Sequence, residues 1–77
     1  MHIHGYQATD QPIDTIVPAS LAEITLNAAP GELRAIAGFL LHCADEMDRM
    51  GKEFDHIHLS DRKREFETSP HFVVVRG

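Results

Sequence analysis

The sequence predicts an α+β fold in which a four-stranded, mostly antiparallel sheet carries one long helix on one face, in the order β-β-α-β-β. Three observations predict it. One segment repeats apolar residues at helical spacing, three others alternate as strands do and a fourth is a short β-branched run, and 77 residues suffice for a single domain, residues 1–77, with a thin core. A helix covering one sheet face is the layering that such elements permit.

Two segments before the helix are expected to be strands. Residues 2–7 alternate between polar and apolar positions, and residues 19–27 place Ile24 and Leu26 on the same side of an alternating run. The stretch between them is turn-like and contains Pro12, which limits how far a strand extends.

Residues 30–50 are expected to form the long helix. Pro30 suits the first helical position and Gly51 a left-handed C-cap, whereas Ala29 occupies the N-cap position, where Ser or Asp would be better. The spacing i, i+3, i+4, i+7 defines the apolar face, which consists of Leu33, Ile36, Ala37, Leu40, Leu41, Ala44, Met47 and Met50.

Residues 54–60 and 71–75 are expected to be the last two strands, and the charged residues 61–70 an exposed loop between them. If the third strand lies beside the first, the order 2-1-3-4 makes every neighbouring pair antiparallel. Placing the second strand beside the third would instead require a right-handed parallel crossover. We expect the first arrangement, with the second sheet face open to solvent.

Charge and composition exclude several functions. The net charge is −5, and the basic run at residues 62–64 is flanked by Asp61 and Glu65, so we expect no nucleic acid and no anionic membrane as partner. No apolar stretch approaches membrane-spanning length and the N-terminus does not resemble a signal peptide, which predicts a cytoplasmic protein. The single cysteine, Cys43, is expected to be a small buried or half-buried thiol.

Two His-X-His pairs, His2/His4 and His56/His58, are the most unusual feature of the sequence. Residues two apart on a strand share a face, so both pairs are expected to face away from the helix and to lie on adjacent strands. Three interpretations of these histidines remain open. They are ordinary polar residues of an open sheet face, a patch that contacts a protein partner, or ligands of Zn²⁺. Asp55 is expected on the opposite face from His56, and His71 joins the group if the last strand brings it near.

The end of the helix is strongly acidic. Residues 44–55 contain five acids and two bases, a pattern that suits either a solvated helix face or a surface that docks a basic partner. Nothing in the sequence supplies an oriented catalytic triad or a glycine-rich phosphate loop, so we expect neither catalysis nor a cofactor.

Five segments together form a recognisable pattern. They are residues 24–34, a strand leading into a helix; residues 37–47 within the helix; residues 54–61, which contain His-X-His-Leu; the closing strand at 72–75; and the opening at 3–6. This pattern resembles the immunity protein 32 family of bacterial polymorphic-toxin systems. The chain departs from the family pattern at Ala29 and in the charged loop at 62–67.

The resemblance implies a cytoplasmic inhibitor without catalysis that binds and neutralises a cognate toxin made by the same cell. The rival interpretation is a small metal- or pH-responsive module whose metal ligands would be His2, His4, His56 and His58. A third is a homodimer packed through the open sheet face. The residues expected to bind the toxin are His4, Asp45, Asp48, Asp55, His56 and His58.

Overall fold

A computed structural model describes residues 1, 3–8 and 18–77. The α+β class is confirmed. In chain order the elements are β1 (His4–Gly5), β2 (Ala19–Ser20), α1 (Pro30–Met50), β3 (His56–His58), α2 (Leu59–Arg62) and β4 (Val73–Val75).

The strands form two small antiparallel sheets. β1 pairs with β2, and β3 pairs with β4. The predicted single four-stranded sheet with the order 2-1-3-4 is not shown. In that order β1 pairs with both β2 and β3, whereas within the described ranges it pairs with β2 alone. The predicted second strand also ends early, at Ser20 instead of residue 27.

That early end has a physical reason. An alternating sequence stabilises a strand chiefly by packing one of its faces, and Ile24 and Leu26 remain 53% and 50% exposed. Without a covered face, residues 21–29 run irregularly into the helix.

The long helix begins and ends where the sequence predicts, at Pro30 and Met50. Its N-cap is Ala29, whose backbone N–H donates a 2.9 Å hydrogen bond to Oε1 of Glu32. Gly51 ends the helix with a positive φ of 59°, and its N–H donates to the carbonyl of Met47. The local signals at both ends therefore specify this element, although the N-cap side chain contributes no hydrogen bond.

The core joins the middle of α1 to the second half of the chain. Its buried members are Ile36, Phe39, Cys43, Phe54, Leu59 and Phe66. The predicted apolar helix face is correct only in part, because Leu33, Leu40 and Leu41 are 46%, 45% and 70% exposed. Within the described part of the chain, the side of the helix that carries Phe39 is covered, and the adjacent leucine-rich side is exposed.

Residues 61–70 are largely exposed, as their charge predicts, but they are not an irregular loop throughout. α2 continues into this stretch, and a short 3-10 turn at Arg64–Phe66 follows it. This turn buries Phe66, which is 6% exposed, within the core. One aromatic side chain therefore anchors an otherwise polar connection.

β3 and β4 form a ribbon that covers part of α1. The paired residues are His56 with Val75, Ile57 with Val74, and His58 with Val73. Ile57 and Val74 pack against the core, so this face of the ribbon lies toward the helix. The expectation of one helix on one sheet face thus holds for this ribbon.

Candidate partner-binding surface

The outer face of the β3–β4 ribbon combines imidazole rings with exposed valines. Because Ile57 and Val74 face the core, the neighbouring positions alternate to the outside. Val73 and Val75 are 39% and 60% exposed. The prediction that His56 and His58 face away from the helix agrees with this alternation.

A third histidine joins this face. The rings of His56 and His58 lie edge to face with centroids 5.2 Å apart, and those of His58 and His71 are 5.5 Å apart. His71 comes from the segment just before β4. The group formed by His56, His58, His71, Val73 and Val75 is here named the histidine–valine face.

Asp55 lies beside this face, contrary to the sequence prediction. Its Oδ2 atom is 2.6 Å from Nδ1 of His56, and its side chain is 88% exposed. Strand alternation placed the two side chains on opposite faces, but Asp55 precedes β3, and its carboxylate turns toward the neighbouring ring. The carboxylate adds an acidic edge to the row of imidazoles.

Two exposed aspartates, Asp45 and Asp48, contribute to the negative charge at the end of α1. Glu46 is half-buried and forms an ion pair with Arg49, whose hydrogen bond lowers the pKa of Glu46 and raises that of Arg49. Asp45 and Asp48 are exposed, and among the described side chains neither forms an ion pair. These two carboxylates therefore expose the negative charge of this helix end to solvent.

Arg76 connects the acidic helix end to the ribbon. Its backbone N–H donates to the carbonyl of Asp55 at 3.3 Å, and its Nη1 donates to the carbonyl of Met47 at 3.4 Å. Arg76 thus reaches from the start of β3 to the last turns of α1, where Asp48 lies. Asp48 and Asp55 consequently occupy the same end of this part of the molecule.

Among the described residues, strand pairing does not bring His4 beside His56 and His58. His4 lies on β1 opposite Ser20 and is exposed, whereas His56 lies opposite Val75. His2 lies outside the described residues. Within residues 1, 3–8 and 18–77, no group of three or more His, Cys, Asp or Glu side chains is arranged to hold a metal ion.

Cys43 is buried, as predicted. Burial raises the pKa of its thiol, and the nearby positive charge of Arg62 lowers it by a smaller amount. The thiol is therefore protonated at neutral pH and packs as a small apolar group.

Sequence reasoning missed the two exposed valines of the histidine–valine face. The signal for them is present in the run at residues 72–75, since a strand that buries Val74 must turn Val73 and Val75 outward. The outward valines matter because they give the imidazole row an apolar flank.

Comparison with known proteins identifies a family to which most of the chain is similar. A family model described as Immunity protein 32 matches residues 23–77. No curated protein and no solved structure matches the chain. In the described part of the chain, no helix has both the length and the apolar character needed to cross a bilayer. The matched range contains α1, β3, α2 and β4, and with them the histidine–valine face and the acidic helix end.

Proposed function

The chain belongs to the immunity protein 32 family, and we propose on this basis that it neutralises a cognate bacterial toxin by binding it directly. The family match over residues 23–77 is the observation that carries the proposal. The proposal includes a toxin made by the same cell and an inhibitor that acts in the cytoplasm. The proposed inhibitor acts by occupancy rather than by catalysis.

The histidine–valine face supports this function as the centre of the interface. Protein interfaces place apolar and aromatic groups at the centre and polar groups at the rim. Val73 and Val75 supply exposed apolar area, while His56 and His58 supply ring surface and hydrogen-bonding nitrogens. A standard interface buries about 800 Å² per partner, so this ribbon contributes the middle of a larger contact.

The acidic residues support a rim that recognises a basic toxin surface. Asp55 borders the histidine–valine face, and Asp45 and Asp48 are exposed on α1. Charges at an interface rim mainly accelerate association and select among partners. We therefore expect toxin binding to weaken and slow as the salt concentration rises.

The first test reverses the acidic rim. The chain is produced together with a candidate toxin domain chosen from the coding sequences that neighbour its gene, and survival of the host and the Kd of the purified pair are measured. Asp45→Lys combined with Asp48→Lys is expected to abolish protection and raise the Kd at least about tenfold. Glu23→Lys combined with Glu65→Lys is the control, since it makes the same charge change at exposed positions elsewhere. Full protection by the Asp45/Asp48 variant contradicts the proposed rim.

The second test removes the imidazoles. His56→Ala combined with His58→Ala is expected to raise the Kd chiefly through faster dissociation, because these rings lie in the proposed centre. His4 completes the proposed contact set, and His4→Ala measures whether the interface extends to β1. An unchanged Kd for the His56/His58 variant places the interface elsewhere.

The third test separates binding from catalysis. An inhibitor that acts by occupancy abolishes toxin activity in proportion to its amount and reaches completion near one equivalent. An enzyme that modifies the toxin inactivates many equivalents with time. Titrating the toxin with the chain and following residual toxin activity distinguishes the two, and inactivation far below one equivalent contradicts the proposed mode.

A further inference from the structure

One exposed side of α1 has a continuous apolar stripe. Its members are Leu33, Ala37, Leu40, Leu41 and Ala44, named here the leucine stripe. Their spacing places them on one side of a helix, next to the side that carries Phe39. Leu33, Leu40 and Leu41 are 46%, 45% and 70% exposed.

The alanines of the stripe lie among its leucines, and their small side chains leave gaps in that surface. Ala37 and Ala44 are exposed in the structure and lie one and three turns from Leu33. Small residues between large ones let the side chains of a second helix enter the gaps. The shape of the stripe thus favours a helix as the covering element.

Two opposite charges flank the stripe on the same side. Arg34 lies at its N-terminal end and Asp45 at its C-terminal end, both exposed. They are eleven positions apart, about three helical turns, so both project from nearly the same edge of the stripe. Among the side chains that the structure describes, neither Arg34 nor Asp45 forms an ion pair.

This charge pattern is complementary to itself when two copies of the helix run antiparallel. In that arrangement the same edge of each helix meets across the two-fold axis. The midpoint of Arg34 and Asp45 lies within one residue of the midpoint of the stripe, which ends at Leu33 and Ala44. Arg34 of each copy therefore comes level with Asp45 of the other, whereas a parallel pair separates them.

We propose that the chain forms a symmetric homodimer in which the leucine stripes of two α1 helices pack antiparallel, with two Arg34–Asp45 ion pairs that hold the register. The contact is isologous, so it closes after two copies and does not propagate. The dimer predicted from sequence used the open sheet face instead. Packing through α1 leaves the histidine–valine face free, because that face lies on the outer side of the ribbon.

The first test measures association of the full chain by sedimentation from micromolar to millimolar concentration. A reversible monomer–dimer equilibrium is expected. Leu40→Glu is expected to weaken it at least about tenfold, because a carboxylate then lies in the apolar contact. Val75→Glu is the matched control, since Val75 is 60% exposed on the ribbon and this substitution disrupts a dimer through the open sheet face. Circular dichroism confirms that each variant is folded.

The second test reads the register directly. Arg34→Glu and Asp45→Lys are each expected to weaken self-association, because each places like charges opposite one another at both contacts. An equimolar mixture of the two variants is expected to restore association, because in the mixed dimer both contacts join opposite charges. No parallel helix pair and no other face predicts that rescue.

Three results overturn the proposal. The first is a chain that stays monomeric at every concentration. The second is a dimer that withstands Leu40→Glu but dissociates with Val75→Glu, which assigns the contact to the ribbon. The third is a mixture of Arg34→Glu and Asp45→Lys that associates no better than either variant alone, which excludes the antiparallel register.

Discussion

Phe66 is predicted to be essential for stability although it lies in a polar, charged stretch. Its side chain is 6% exposed and belongs to the same core cluster as Phe39 and Leu59. The backbone holds it there, since its N–H donates to the carbonyl of Lys63 and its carbonyl accepts from the N–H of Ser69. Replacing Phe66 by alanine removes a ring from a thin core.

The expected cost follows from the burial. Truncation of a buried phenylalanine to alanine costs about 3–5 kcal/mol, and Phe66 belongs at the lower end because it lies near the surface of a small core. A chain of 77 residues is stabilised by about 4–12 kcal/mol in total, at about 0.05–0.15 kcal/mol per residue. Phe66→Ala therefore removes a quarter to three quarters of the stability and lowers the Tm by about 12–24 °C.

Urea unfolding followed by far-ultraviolet circular dichroism measures this free energy. Phe66→Leu is the first control and is expected to cost less than about 1.5 kcal/mol, because it keeps most of the apolar volume. Glu65→Ala is the second and is expected to change stability by less than about 0.5 kcal/mol, because Glu65 is exposed. A cost below about 1 kcal/mol for Phe66→Ala would refute the assignment of this ring to the core.

Three further predictions concern the ends of α1 and its buried thiol. Ala29→Ser is expected to stabilise the fold by about 1 kcal/mol in thermal unfolding, because Ala29 has the extended backbone of an N-cap but lacks an accepting side chain. Gly51→Ala is expected to cost about 1–3 kcal/mol of stability, since φ is 59° at this position. Gly38→Ala, at an open position inside the helix, is the control and is expected to stabilise the fold. Equal effects of the two substitutions would contradict the role of φ. Burial raises the pKa of the Cys43 thiol in the folded protein. The resulting contribution of the thiol to the free energy of unfolding is complete below about pH 8.5, the pKa of an unfolded thiol, and is lost as the pH rises through the pKa of the folded state. Stability should thus fall more steeply above about pH 8.5 in the parent chain than in Cys43→Ala, and parallel pH profiles would contradict this prediction.

The long helix could be predicted to the residue because its signals are local. The period of its apolar residues, Pro30 at the start and Gly51 at the end all act within one or two turns. The side of the helix that becomes buried could not be predicted in the same way. Its apolar arc is wider than the ribbon and α2 can cover, and which part they cover depends on contacts distant in sequence.

In the candidate partner-binding surface, too, some features could be predicted from local sequence and others could not. Alternation along β3 predicts the outward direction of His56 and His58, because that rule depends only on the strand. The contact between Asp55 and His56 could not be predicted, since it depends on a side-chain rotation just before the strand begins. The predicted neighbourhood of His4 and His56 depended on the pairing of β1 with β3, and pairing is a long-range choice that local sequence does not specify.

Asp45 belongs to both proposed surfaces, which makes the two proposals interdependent in a measurable way. If Asp45 pairs with Arg34 of a second copy, it is less available to a toxin, and dimerisation then competes with toxin binding through linkage. Arg34→Glu is expected to raise the apparent affinity for the toxin, because it dissociates the dimer while leaving Asp45 and Asp48 in place. The gain should vanish on dilution, where the parent chain is already monomeric. A titration calorimeter at low and high chain concentration measures the difference, and an equal gain at both concentrations would mean that Arg34 acts on the toxin directly rather than through self-association.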